Sequence, residues 1–300
     1  MRRRTFVKKS AIGALTVGLL SADALAGKGL QQTTELGKVK SKDGTSIAYL
    51  RTGSGPPLVL IHGTSSDHTR WVPILPSLAE KFTVYAVERR GRGESGDAPA
   101  FSFEREFDDV AAVVDSIREP VNLLGHSYGG ICSLEALLLT RNIGKLILYE
   151  PPLTEGLTTD PQTEASDARI ESLIQQGDRE RALLVFSSEI VRKVPATEEE
   201  LTRLRSDPTW KARVALAHTL PRERKAVKEY RFTPGRFQQV KTPTLLLMGE
   251  KSPKALVSST KLVETAFKTS RLSIMPGQGH NAMTTAPDLF IREVVYFLLA

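Results

Sequence analysis

One cysteine, two tryptophans and no long apolar run constrain this 300-residue chain before any motif is read. A lone cysteine, Cys132, cannot close an internal disulfide, so the fold must rest on packing. Cys132 lies just beyond Ser127 on an expected helix and reads as a small buried hydrophobe rather than a second nucleophile. No cysteine pair and no His-x-Glu-x-x-His spacing points to a metal, and no Gly-x-Gly-x-x-Gly opens a strand–helix unit. No cofactor is therefore expected. The formal charge of +7 overstates the basicity of the main body. Arg2, Arg3, Arg4, Lys8 and Lys9 stand against Asp23 alone in the first residues. What remains has no basic stripe with interleaved aromatics, which argues against nucleic acid as a partner. Arg222, Arg224, Lys225 and Lys228 are interrupted by Glu223 and Glu229 and read as a solvated helix face.

What is present begins with an address. Arg3-Arg4-Thr5-Phe6 precedes the apolar run 11–20, which at about ten residues is too short to span a bilayer comfortably. Ala24-Leu25-Ala26 follows, with small residues at alternate positions. These are the three parts of a secretory signal, and the paired arginines resemble the bacterial twin-arginine type. Cleavage after Ala26, export to the periplasm or medium, and no stable membrane insertion of the mature chain are expected.

Beyond this segment, strand-like and helical patterns alternate. A hairpin over 36–52 turns at Asp43-Gly44. Buried-strand runs follow at 58–61, 82–87, 121–124, 146–149, 244–248 and 272–275, with helical spacing over 103–118, 131–139 and from Pro287 onward. This order predicts an α/β fold with a doubly wound, mostly parallel sheet. Between 153 and 235 strand runs vanish and charged helical spacing takes over. The expected organisation is a signal at 1–26, a core built from 36–152 and 236–300, and an inserted helical cap at 153–235. Such a cap covers the carboxyl ends of the strands, where sheets of this type place their sites. Trp71 and Trp210 suit core packing better than a pocket wall.

Gly125-His126-Ser127-Tyr128-Gly129 falls between an expected strand and an expected helix. A serine lifted on a sharp strand-to-helix turn needs glycine on either side, where side chains would collide. Its position makes Ser127 the candidate nucleophile, and the amide of Tyr128 one donor to a developing oxyanion. Together with His62-Gly63, the loop Gly91-Arg92-Gly93-Glu94-Ser95 and Gly279-His280, this elbow makes residues 36–300 resemble the α/β-hydrolase superfamily.

The resemblance implies that His280, between the last strand and the last helix, is the base, and that Thr64 supplies the second oxyanion amide. His62 and His126 read as structural. His68 and His218 stay open. Members often place the third residue of the triad as Asp in a Gly-x-x-Asp-Pro loop, but this chain reads Gly249-Glu250-Lys251-Ser252-Pro253. Ser252 cannot carry the required charge. Some members hold the acid one strand earlier, which makes Glu150 the first candidate and Glu250 the second, with a site of only two residues the remaining alternative. Glu88 to Gly93 reads as a structural turn with internal ion pairs.

The expected activity is hydrolysis of an ester, thioester or amide of a small acyl substrate through an acyl-enzyme. Two alternatives stand beside it. One is carbon–carbon cleavage or cofactor-free perhydrolysis at the same residues, and the other is a non-catalytic binding protein on a hydrolase scaffold.

Overall fold

The computed structural model describes residues 33–98, 100–153 and 161–300. The signal expected at 1–26 lies outside the described residues, as do positions 154–160 at the start of the expected cap. No described helix is long and apolar enough to cross a membrane.

The described residues form an eight-stranded sheet in the order β1-β2-β4-β3-β5-β6-β7-β8. The strands are β1 (Glu35–Lys40), β2 (Ser46–Thr52), β3 (Pro57–Ile61), β4 (Thr83–Glu88), β5 (Val121–His126), β6 (Ile143–Tyr149), β7 (Thr244–Gly249) and β8 (Ser270–Met275). β1 and β2 are antiparallel, β2 pairs antiparallel with β4, and every pairing from β4 to β8 is parallel. β3 and β7 are buried at every residue, because helices cover both faces of the sheet. Their period of two sends alternate side chains to two separate cores. Leu58 and Leu60 pack with Trp71 and Phe290, whereas Val59 and Ile61 pack with Phe103 and Ile131.

The helices are α1 (Leu75–Ala79), α2 (Phe103–Asp115), α3 (Tyr128–Ala136), α4 (Pro161–Gln175), α5 (Arg179–Val185), α6 (Glu198–Arg205), α7 (Trp210–Ala215), α8 (Leu220–Glu229), α9 (Lys254–Ala266), α10 (Ala282–Thr285) and α11 (Pro287–Leu299). The chain between β6 and β7 carries α4 to α8, with a π-helical turn at Phe186–Arg192. It holds a third apolar cluster of its own, which includes Leu183, Phe186, Trp210 and Leu220. Both tryptophans lie in apolar cores.

The loop after β4 differs from its expected character. Its ion pairs are not internal but reach outward to four other parts of the chain. Arg90 pairs with Asp109 of α2 at 2.6 Å and with Asp43 of the hairpin at 3.0 Å. Arg89 pairs with Glu106 of α2 at 2.8 Å and with Glu223 of α8 at 2.6 Å, and Arg92 also pairs with Glu223. Glu88 accepts from His68 Nδ1 at 2.6 Å. The basic face of α8 is likewise partly paired, with Arg222 on Asp97 and Arg224 on Asp167.

Glu223 is the only carboxylate within ion-pair distance of Arg92 among the described residues. Removing one partner of a buried pair leaves an uncompensated charge, which typically costs about 3–5 kcal/mol. Glu223→Gln should therefore lower stability by about that amount in chemical denaturation. A loss below ~1 kcal/mol would mean that this network contributes little to holding α8 on the sheet.

Candidate active site

The carboxyl ends of the parallel strands gather the candidate residues. Ser127 sits between β5 and α3 with φ 54° and ψ −126°, a conformation rarely adopted by a residue with a side chain. Its amide donates to the carbonyl of Tyr149 on the neighbouring strand at 2.8 Å, which pins the turn. The glycines around it are required by contact. A Cβ on Gly129 would lie 2.5 Å from the carbonyl oxygen of Ile61, and one on Gly63 would lie 2.9 Å from Ser127 Cβ. Gly63 thus lets the loop after β3 press against the elbow, and Thr64 lines the same cavity as Ser127. Tyr128 opens α3, so its amide belongs to the first turn, where a helix supplies no acceptor.

Glu150 follows β6 directly and also takes a positive φ, 49°. Its side chain is fully buried, and Oε2 accepts from Nδ1 of His280 at 2.6 Å. Oε1 accepts from the Gly249 amide at 2.7 Å and from Ser252 Oγ at 2.5 Å. A buried carboxylate demands such donors. Ser252, read from sequence only as a missing acid, is one of them. Glu250 turns elsewhere, accepting from the amide of Gly277 at 2.7 Å in an exposed loop.

The His280 loop is held from two sides. The Tyr149 hydroxyl donates to the Gly279 carbonyl and accepts from the Ala282 amide at 3.1 Å. Burial and the Glu150 carboxylate push this phenol far up, so it remains a donor. His126 Nε2 donates to the His280 carbonyl at 2.9 Å, and the two rings lie 4.6 Å apart. Burial, and then the proximity of His280 and Arg70, holds His126 well below the usual histidine range. His126 is thus a neutral positioning group, and Tyr149 is its counterpart that sequence reading missed.

The other histidines stand apart from this chemistry. His62 is buried and bonds to the Gly63 carbonyl at 2.9 Å, His68 pairs with Glu88, and His218 is exposed. Cys132 is buried, and burial pushes its thiol up, away from reactivity.

Ser127 and His280 open into one cavity of about 190 Å³. Among the described residues Ser127 Oγ forms no hydrogen bond; hydrogen bonds between a nucleophile and its base are in general often long without substrate. The opposite wall comes from the helices between β6 and β7, through Phe186, Ser187, Arg192, Leu204, Asp207 and Arg213. No group of three or more His, Cys, Asp or Glu side chains among the described residues is arranged to hold a metal ion.

Comparison with known proteins places the fold in a family. The chain is similar to 2-(acetamidomethylene)succinate hydrolase of Mesorhizobium japonicum, 25% identical over 303 positions that cover 93% of this chain and 99% of the relative. Among solved structures it is similar to an alpha/beta hydrolase from Sphaerobacter thermophilus, with a TM-score of 0.75 and 32% identity over 87% of this chain and all of the other. An esterase from Rhodococcus superposes with a TM-score of 0.71 at 26% identity, covering 88% of this chain and 98% of that one. The sequence model of the alpha/beta hydrolase family matches residues 58–293. The chain belongs to the alpha/beta hydrolase family.

Proposed function

We propose that the protein is a serine esterase that forms an acyl-enzyme on Ser127. The observation that carries this reading is the 2.6 Å bond from His280 Nδ1 to a buried Glu150, with His280 lining the same cavity as a serine on a strained turn. With Nδ1–H committed to the carboxylate, the free lone pair of the ring is on Nε2, where a general base needs it. Nε2 takes the Ser127 proton as Oγ attacks the acyl carbon. The carbonyl oxygen becomes an oxyanion held by the amides of Tyr128 and Thr64. Collapse breaks the bond to the leaving oxygen, which takes the proton from Nε2. Water then loses a proton to His280 and attacks the acyl-enzyme, and Ser127 recovers its proton as the acid departs.

Glu150 fills the role left open by Ser252, which removes the main argument for a non-catalytic scaffold. The helices of 161–229 act as a cap that closes the site. A cavity of about 190 Å³ is small beside ordinary ligand pockets of roughly 300–1,000 Å³, so the acyl group is short.

A series of p-nitrophenyl esters tests this. Acetate and butyrate should be hydrolysed, with kcat/KM falling at least ~10-fold by octanoate, since the extra methylenes have no volume to enter. Peroxide-dependent halogenation without ester hydrolysis would favour the perhydrolase alternative instead.

A further inference from the structure

The cavity above Ser127 is over-supplied with positive charge. Arg70 reaches it from the turn at His68–Trp71, and Arg213 reaches it from α7. Neither has a carboxylate within ion-pair distance among the described residues. Arg213 Nη2 donates to Ser187 Oγ at 3.2 Å and Nε to the Ser65 carbonyl at 3.4 Å, both neutral partners. Arg70 Nε is sealed from solvent with no partner.

The nearest acids are Asp207, which lines the same cavity and whose charge acts on both arginines, and Asp67, whose charge acts on Arg70, but neither comes within ion-pair distance of them. Asp207 Oδ1 accepts from the amide and hydroxyl of Thr209, both at 2.8 Å, and Asp67 Oδ1 accepts from the Thr69 amide at 2.9 Å. Nearer the opening, Arg192 and Arg203 share a single carboxylate, Glu200, at 2.6 and 2.7 Å. Burial pushes both inner guanidiniums below their ordinary range, Arg213 to about 9. The contrast lies within the same chain. Arg89, Arg90 and Arg92, which serve structure, each have an acid in contact. A fold that pairs its structural arginines and leaves two unpaired on the wall of its reaction cavity has left room for an anion.

We propose that the substrate carries a carboxylate bound by Arg70 and Arg213, so that the enzyme cleaves small anionic acyl compounds such as half-esters of short dicarboxylic acids. This rests on the esterase reading above. The planar, delocalised guanidinium suits a carboxylate through paired charge-assisted hydrogen bonds. The cavity volume restricts the spacer to a few carbons. The carboxylate would bind the substrate while the ester carbonyl is presented to Ser127.

The test compares monoethyl succinate with ethyl levulinate, a neutral ester of nearly the same shape. The half-ester should show a kcat/KM at least about 10-fold higher, the scale of one charge-assisted contact. In Arg213→Met and Arg70→Met the ratio of the two should fall toward one, through a rise in KM for the half-ester. Succinate binding to Ser127→Ala protein, measured by calorimetry, gives a reading independent of turnover and of how the arginine variants fold. It should be detectable and should weaken with added salt. Equal or better turnover of ethyl levulinate by the wild type, or no succinate binding, would overturn the inference. If neither ester is hydrolysed, the esterase reading fails, and succinate binding still decides whether the arginines hold a carboxylate.

Discussion

Replacing Ser127 with alanine is expected to lower kcat for p-nitrophenyl acetate by roughly 10⁶-fold, the scale seen when a hydrolase loses its nucleophile. The effect should be nearly pure chemistry. Ser127 Oγ forms no hydrogen bond among the described residues, so its removal costs the folded state no bond, and alanine inherits the same φ of 54°. Unfolding curves of the two proteins should coincide within ~0.5 kcal/mol. The single cysteine of the chain, Cys132, cannot take over, because it is buried with its thiol pushed up. Residual turnover above about 1% of wild type would mean that another nucleophile carries the reaction.

The second large effect is expected at Glu150. Glu150→Gln keeps the size of the side chain and an oxygen for the Gly249 and Ser252 donors. It places an amide against His280 Nδ1, which favours the tautomer with its proton on the wrong nitrogen. The expected loss is on the order of 10⁴ in kcat. Ser252 offers a check that a merely structural role would not answer. It already touches Glu150 Oε1 at 2.5 Å, so an aspartate there would bring a carboxylate to the same spot. Glu150→Gln combined with Ser252→Asp should recover at least ~10-fold of the lost rate. Ser252→Asp alone crowds two carboxylates together and should lower activity. If Glu150→Gln stays within ~10-fold of wild type, Glu150 is not the acid of this site.

Much of this arrangement was legible from sequence, for identifiable reasons. Continuous apolar runs such as Leu58–Ile61 mark strands covered on both faces, and burial at every position of β3 bears that reading out. The elbow was legible because only glycine fits where Gly129 meets the backbone of Ile61. Boundaries were less so. α3 begins at Tyr128 rather than 131, because the turn that launches Ser127 overrides the weak helix preference of Gly129-Gly130. β6 begins at Ile143, where half-buried Gly144 and Lys145 hid its start, and β8 is an edge strand with little apolar signal. Apart from the Ser127, His280 and Glu150 grouping implied by the family resemblance, long-range partnerships were not visible. Nothing local to Arg92 names Glu223, and nothing local to Arg70 announces that Arg213 will share its cavity. The part played by Ser252 is hidden in the sequence for another reason. A hydroxyl at that position cannot act as the acid, and only the folded chain shows that it donates to the carboxylate of Glu150 one strand away.

The central claim is that Ser127 is a nucleophile activated by His280. Treatment of the intact protein with a fluorophosphonate, followed by peptide mass spectrometry, tests it most directly. The account predicts one adduct per chain, located on Ser127, and none in His280→Ala over the same interval. A folded wild-type protein that remains unlabelled, or an adduct on any other residue, would contradict it.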